Sequence, residues 1–268
     1  MSWKQIKNFL ILLFVIINLY LIISTSGSVV RFNSVTVVDK KTLEQTASVI
    51  SSNYNISFDQ AKVPLKIHNL NIIDVTNFIY ADHASIDEKY GLEVKGNVFS
   101  FNVDTETYSY NEHNARLEIT EILSELGIAG ENYKLDFKKT DEGLVCKAGG
   151  LVSGVPILNS QVTAVFNPKK ISVKGTWYIP NTNKVKSTDN SLRMSDITGV
   201  LIDASDRSPK GETTSFESFV YGYYVSSYDE NAVSKISSAI PCYMIQTNNG
   251  LTYYYDALNG KFLKQEDN

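Results

Sequence analysis

The sequence predicts an α+β protein: an N-terminal transmembrane helix followed by repeated units of one helix and an antiparallel sheet. Three observations carry this expectation. An apolar run from Phe9 to Ile23 is broken only by Asn18. Helix-period and strand-period segments then alternate along the chain, and turn signals of Asn and Gly fall between the strands. The chain as a whole is 43% hydrophobic with 16 tyrosines and 12 phenylalanines, a usage that favours strands and a packed core.

The apolar run approaches the roughly 17 to 20 residues, at about 1.5 Å each, that cross a bilayer. Lys4 and Lys7 precede it, and the next basic residue is Arg31. That asymmetry keeps residues 1–8 in the cytoplasm, makes 9–24 the membrane helix and puts the body outside, as a single-pass protein of the cell membrane. A cleaved signal peptide is the rival reading, since Ser24-Thr-Ser-Gly-Ser28 follows the apolar core. The length of that core and the lack of an Ala-x-Ala site favour the anchor. Ile11, Phe14, Asn18 and Leu21, at spacings of 3, 4 and 3, share one helix face. A mid-membrane amide is costly unless paired, so this face is the candidate partner-binding surface. Its bland alternative is an Asn18 that snorkels or bonds its own backbone.

In the exported body the first helix follows Asp39, a suitable N-cap, with Leu43, Ala47, Ile50 and Tyr54 on one face. Strand-like stretches follow at 70–79, 91–95 and 98–103, the last two meeting at Gly96-Asn97, and together they make a first extracellular unit over 35–110. A second helix over 115–126 carries Ala115, Ile119, Ile122, Leu123 and Leu126 on one stripe, with Gly127 placed to end it. Strands near 133–137, 162–166 and 171–179 complete a second module, 111–180. The last of these alternates cleanly, with Ile171, Val173, Gly175, Trp177 and Ile179 on one side.

The polar stretch after Pro180 reads as a linker, 181–192. A third module, 193–268, opens with a helix over 195–204. Strands near 216–225, 240–246, 251–255 and 261–263 follow, with Asn248-Asn-Gly250 and Asn259-Gly260 as hairpin turns. Val162–Ile171 and Leu251–Phe262 share a pattern of strand, Asn or Asp, turn, Lys and strand, which suggests internal duplication. Many unrelated hairpins use the same residues.

Chemistry is sparse. A formal charge of −4 and the absence of a basic stripe argue against a nucleic-acid partner. His68, His83 and His113 lack metal-ligand spacing, no cofactor motif occurs, and no catalytic residue is expected. Gly150-Leu-Val-Ser-Gly154 is not Gly-x-Ser-x-Gly and reads as an inter-strand turn. Neighbouring carboxylates (Asp104/Glu106, Asp203/Asp206, Asp229/Glu230) fit element ends and loops. Tyr221–Tyr224 and Tyr253–Tyr255 offer either a sugar-stacking surface or, more simply, a strand face that is half core. Cys146 and Cys242 could bridge outside the cell or stand as buried thiols.

Two stretches resemble a known family. Met1-Ser-Trp-Lys-Gln-Ile-Lys-Asn with Asn18-Leu-Tyr-Leu is similar to the N-terminus of the YycH/YycI regulatory proteins of Gram-positive bacteria. Tyr221-Gly-Tyr-Tyr-Val, Ala239–Gly250 and Tyr253–Lys261 resemble the closing module of the YycI branch, and Leu43–Pro64 fits its opening helix. The resemblance implies PepSY-like extracellular modules and a non-enzymatic accessory protein. Its partners would be the sensor histidine kinase of a WalK/WalR-type, cell-wall-related two-component system and a sister YycH-like protein, with a cell-wall or peptide ligand outside. The alternative is an anchored PepSY-like module that inhibits a protease or binds cell-wall material.

Overall fold

A computed structural model describes residues 35–80, 84–107, 109–128, 130–141, 143–186, 194–210, 213–226 and 236–267. The elements in order are β1 (Val35–Val37), α1 (Lys40–Tyr54), β2 (Ile56–Phe58), β3 (Lys66–His68), β4 (Ile72–Asn77), α2 (Ala84–Tyr90), β5 (Glu93–Lys95) and β6 (Val98–Asp104). Then come α3 (Glu112–Glu125), β7 (Tyr133–Thr140), β8 (Gly143–Val152), β9 (Val155–Asn167), β10 (Lys170–Thr176) and β11 (Tyr178–Lys186). The last are α4 (Ile197–Arg207), β12 (Thr214–Val225), β13 (Ile236–Thr247), β14 (Leu251–Asp256) and β15 (Phe262–Asp267).

The helix starts follow from their caps. Asp39 accepts from Thr42 N at 3.0 Å and Thr42 Oγ1 at 2.9 Å, satisfying first-turn donors of α1. Asn111 accepts from Asn114 N, while the Asn114 side chain accepts from Asn111 N, a reciprocal box at the start of α3. Asp196 accepts from Thr198 N at 3.0 Å to open α4. Gly127, at φ 73, ends α3, where a left-handed residue is needed.

Thirteen strands form one connected sheet, and β1 with β3 makes a separate ribbon. Its first half is the antiparallel series β7-β8-β9-β10-β6-β5, covered on one side by α3. Ala115, Ile119, Ile122 and Leu123 of α3 pack there with Phe99, Phe101, Ala148, Val162, Ala164, Phe166, Ile171 and Val173. The second half is the meander β12-β13-β14-β15, covered by α1 and α4. Leu43 and Ile50 of α1 and Ile197, Val200 and Leu201 of α4 pack there on Phe216, Tyr243, Ile245, Tyr253 and Tyr255.

The halves join where β12 runs parallel to β9, at Tyr223 opposite Ile157. At the same place the β8–β9 register slips, between Gly149/Gln161 and Leu151/Pro156. That irregularity changes which side of β9 faces the helices. Ile157 is buried before it, and Val162, Ala164 and Phe166 are buried after it.

The expected fold class is corrected by this topology. Strands, not helices, dominate the described residues, and they do not close into repeated helix-plus-sheet modules. Residues 35–110 form no unit of their own. β5 and β6 complete the edge of the first half, β4 pairs with both β13 and β11, and β2 pairs in parallel with β12. The physical reason is that these short strands cannot bury both a face and an edge alone, so they add to the two larger sheets. The stretch expected as a linker carries β11, paired to β4 through Lys186.

The expected transmembrane helix over 9–24, with its face of Ile11, Phe14, Asn18 and Leu21, lies outside the described residues. Among the described residues no helix is long and apolar enough to cross a membrane. The longest of them, α1, has 15 residues.

Two substitutions in α3 check the packing. Ile119 is fully buried, so Ile119→Ala should destabilise by about 2–5 kcal/mol. Leu117 is 61% exposed, and Leu117→Ala should change stability by less than about 0.5 kcal/mol. Urea unfolding midpoints of the two variants measure both.

Candidate functional site

Alternation along the strands leaves one face of the joined sheet without helices. Leu158, Gln161, Thr163 and Val165 of β9, Ser172, Lys174 and Thr176 of β10, Met244 and Gln246 of β13 and Tyr254 of β14 line a groove of about 1130 Å³ on it. The groove spans the seam between the halves. Side-chain amides and hydroxyls dominate its β9–β10 wall, and aromatic and sulfur-bearing side chains its β12–β14 wall.

The tyrosine-rich strands explain the second wall. Alternation sends Tyr221, Tyr253 and Tyr255 to the helix side and Tyr224 and Tyr254 to the groove side. The two groove-side rings lie 4.9 Å apart at 42° and bury Cys242 with help from Leu158, Met244 and Leu263. Tyr254 donates to Glu266 at 3.1 Å, and Lys264 pairs with Glu266 at 2.7 Å. Burial pushes the Tyr224 phenol up to about 12 and raises Tyr178 and Tyr254 as well, Tyr254 with a contribution from the Glu266 carboxylate. All three are neutral hydroxyls at physiological pH.

The seam is held by side chains that imitate backbone. Asn159 donates its Nδ2 to Val225 O at 2.8 Å, and its Oδ1 accepts from Val225 N at 3.0 Å. One amide thus supplies both bonds that a neighbouring strand residue would make. Ser160 Oγ, fully buried, accepts from Tyr178 N at 3.1 Å and ties β9 to β11. Gly222 allows the close approach of β12, because a Cβ there would collide with Pro156 O.

The other sequence candidates fall on separate elements. Ser153 sits in the β8–β9 turn at φ 49. It shares a second cavity of about 640 Å³ with His68, but no hydrogen bond joins the two. His113 lies in the first turn of α3, and His83 and the Asp229/Glu230 pair lie outside the described residues. Asp203 is occupied. Burial alone would raise its carboxyl, but bonds from Arg207 Nε at 2.6 Å and Tyr255 OH at 2.8 Å outweigh that and hold it below the ordinary range. Among the described residues no cluster of three or more His, Cys, Asp or Glu side chains could hold a metal.

Cys146 packs beneath α3 and Cys242 beneath the tyrosine pair, so they stand in different clusters as free thiols. The groove itself was half legible. The alternation through Ser172, Lys174 and Thr176 marked one wetted strand face, but the single strand expected over 171–179 breaks at Trp177, after which Tyr178 is buried and Ile179 exposed. The seam depends on Asn159, which has no distinguishing sequence context.

No protein-family model matches the chain, and no curated protein matches it. Solved structures similar to it include an uncharacterized protein from Eubacterium rectale at 11% identity, covering 73% of this chain and 86% of that one with a TM-score of 0.46. The Bacillus megaterium YpeB C-terminal domain is similar at 12% identity, over 86% of this chain and 98% of that one, with a TM-score of 0.35. Both likenesses are in outline only and carry no functional argument.

Two measurements follow from the geometry. Asn159→Ala strands both backbone groups of Val225, and Asn159→Asp turns a carboxylate toward its carbonyl. Each should lower stability by about 1–3 kcal/mol in urea unfolding, and Gly222→Ala should also destabilise. Burial pushes the Cys146 thiol up to about 12 and raises Cys242 also. Ellman's reagent should therefore label neither thiol in the native protein, and both after denaturation.

Proposed function

We propose that this chain is a non-catalytic accessory protein whose open sheet face binds an extended ligand outside the cell. The observation that supports this reading is the groove across the seam. It gathers amides, hydroxyls and two tyrosines along one uncovered face, with no nucleophile–base couple or close carboxylate pair among the side chains that line it. Such a surface suits recognition rather than bond making.

The partner is a sensor histidine kinase of a cell-wall-related two-component system, with a sister YycH-like protein as a further associate. This part rests on the resemblance of both chain ends to the YycH/YycI proteins. The apolar segment beginning at Phe9 holds the protein at the membrane, and Ile11, Phe14, Asn18 and Leu21 meet the kinase there. Ligand at the open face biases the kinase between its signalling arrangements. A coupling of about 1–3 kcal/mol suffices to change output several-fold or more.

Co-purification of the full chain with the kinase from detergent-solubilised membranes tests the partner, and kinase phosphorylation tests the groove. Asn18→Leu should weaken co-purification while leaving the melting temperature unchanged. Thr163→Trp, which fills the groove, should leave co-purification intact and abolish the response of phosphorylation to ligand. Full recovery of the kinase with Asn18→Leu removes that face from the mechanism. An unaltered response with Thr163→Trp removes the groove.

A further inference from the structure

One row of side chains across the open face carries charges that the fold does not use. Lys147 on β8 stands opposite Thr163 on β9, and Thr163 stands opposite Lys174 on β10. The row continues to Ser100 on β6 and ends at Asp136 on β7 and Glu93 on β5. Opposed residues leave the sheet on the same face, so two ammoniums flank one hydroxyl, their strands roughly 9–10 Å apart. Lys147, Thr163 and Lys174 line the groove, whereas Asp136 and Glu93 lie beyond it. Neither lysine has an ion-pair partner among the described residues.

Thr163 is oriented for the same task. Gln161 donates its Nε2 to Thr163 Oγ1 at 3.1 Å, which leaves the hydroxyl proton free to point into the groove. The three side chains together offer two positive charges and a donor at the centre of a polar wall. Asp136 stands opposite Lys147 on the outer side of the row, while the inner side of both lysines faces only the Thr163 hydroxyl.

We infer that this row is the subsite for the phosphodiester of a polyol-phosphate polymer, whose uncharged portions lie along the rest of the groove. The inference rests on reading the open face as the ligand-binding surface. Two lysines present mobile point charges and the groove lining holds no arginine, an arrangement suited to a tetrahedral phosphate more than to a planar carboxylate, which favours the arginine fork. A peptide is the poorer occupant. Extended peptides gain affinity from a free strand edge, and β9 is hydrogen-bonded on both sides over the stretch from Gln161 to Phe166 that floors the subsite. Side-chain amides and hydroxyls above that floor match the hydroxyls of a polyol chain.

The test titrates the full chain in detergent with a glycerol-phosphate oligomer, with neutral polyglycerol of the same length, and with an oligogalacturonate. Binding is read by calorimetry and the face by amide-exchange protection of β8, β9 and β10. The phosphate oligomer should bind most tightly, weaken with added salt, and lose about ten-fold in affinity with either Lys147→Ala or Lys174→Ala. Both lysines are exposed, so the variants should melt like the parent protein. Equal affinity for neutral polyglycerol, with the same strands protected, overturns the anion subsite and leaves the open face as a ligand surface. Tighter binding of the oligogalacturonate overturns the choice of phosphate. No protection by any oligomer overturns both the subsite and the open-face reading.

Discussion

The side-chain amide of Asn159 is the contact on which the continuity of the sheet depends. β9 already pairs with β8 along one side and with β10 over the second half of the other. Only its first half is left for β12, and there the backbone register consists of one pair, Tyr223 with Ile157. A single parallel pair is a weak joint between two sheets of this size. Asn159 lengthens it by binding both the N–H and the C=O of Val225, and Gly222 brings the strands close enough for that to happen. Without the amide, two backbone groups in a part-buried seam lose their partners, at a cost larger than one hydrogen bond normally contributes.

The cores reinforce this joint without replacing it. One cluster lies under α3 and another under α1 and α4, and they are distinct sets of residues. Between them Ile73, Val75, Ile157, Tyr178, Tyr223 and Val225 form a smaller cluster directly at the seam. With Val152 and Ala239, its members come from β4, β8, β9, β11, β12 and β13, so residues far apart in sequence must assemble before the groove has two walls. The first half buries α3 largely on strands that follow it, whereas α1 packs on β12, β13 and β14, far along the chain. The relation between the halves is likewise non-local, and it creates the open face.

That division explains what the sequence made legible. Asp39 and Gly127 mark helix ends because caps are local chemistry, and Gly96-Asn97 and Asn248-Asn-Gly250 mark hairpins for the same reason; the Asn111 box that starts α3 three residues before the expected helix went unread. β8 was hidden by its glycines. Gly150 reads as a turn, yet it is a strand residue paired with Tyr133 and packed against Ser160, whose Oγ would stand 2.6 Å from an added Cβ. β11 was hidden by Pro180 and its asparagines, although proline is tolerated at a sheet margin such as this one, where β4 is its partner. The crossing of β4 into β13 and of β2 onto β12 leaves no periodic trace at all. Nothing in residues 72–77 names 236–239 as their partner. The membrane face of Ile11, Phe14, Asn18 and Leu21 rests on spacing alone.

An uncovered sheet face needs a reason not to pair with another copy, and the distribution of charge supplies one. The edge strand β7 carries Lys134, Asp136, Lys138 and Lys139, and the edge strand β5 carries Glu93 and Lys95. Charges along an edge oppose strand addition by a second chain. On the face itself the apolar side chains gather around Tyr224, Cys242 and Tyr254, where they cover one another. The β9–β10 wall keeps hydroxyls, amides and lysines, which remain hydrated in the absence of a ligand and offer no continuous apolar area for self-association. The same polar wall is the one that would exchange its water for the hydroxyl and anionic groups of the proposed polymer, so resistance to self-association and the proposed recognition draw on one set of side chains.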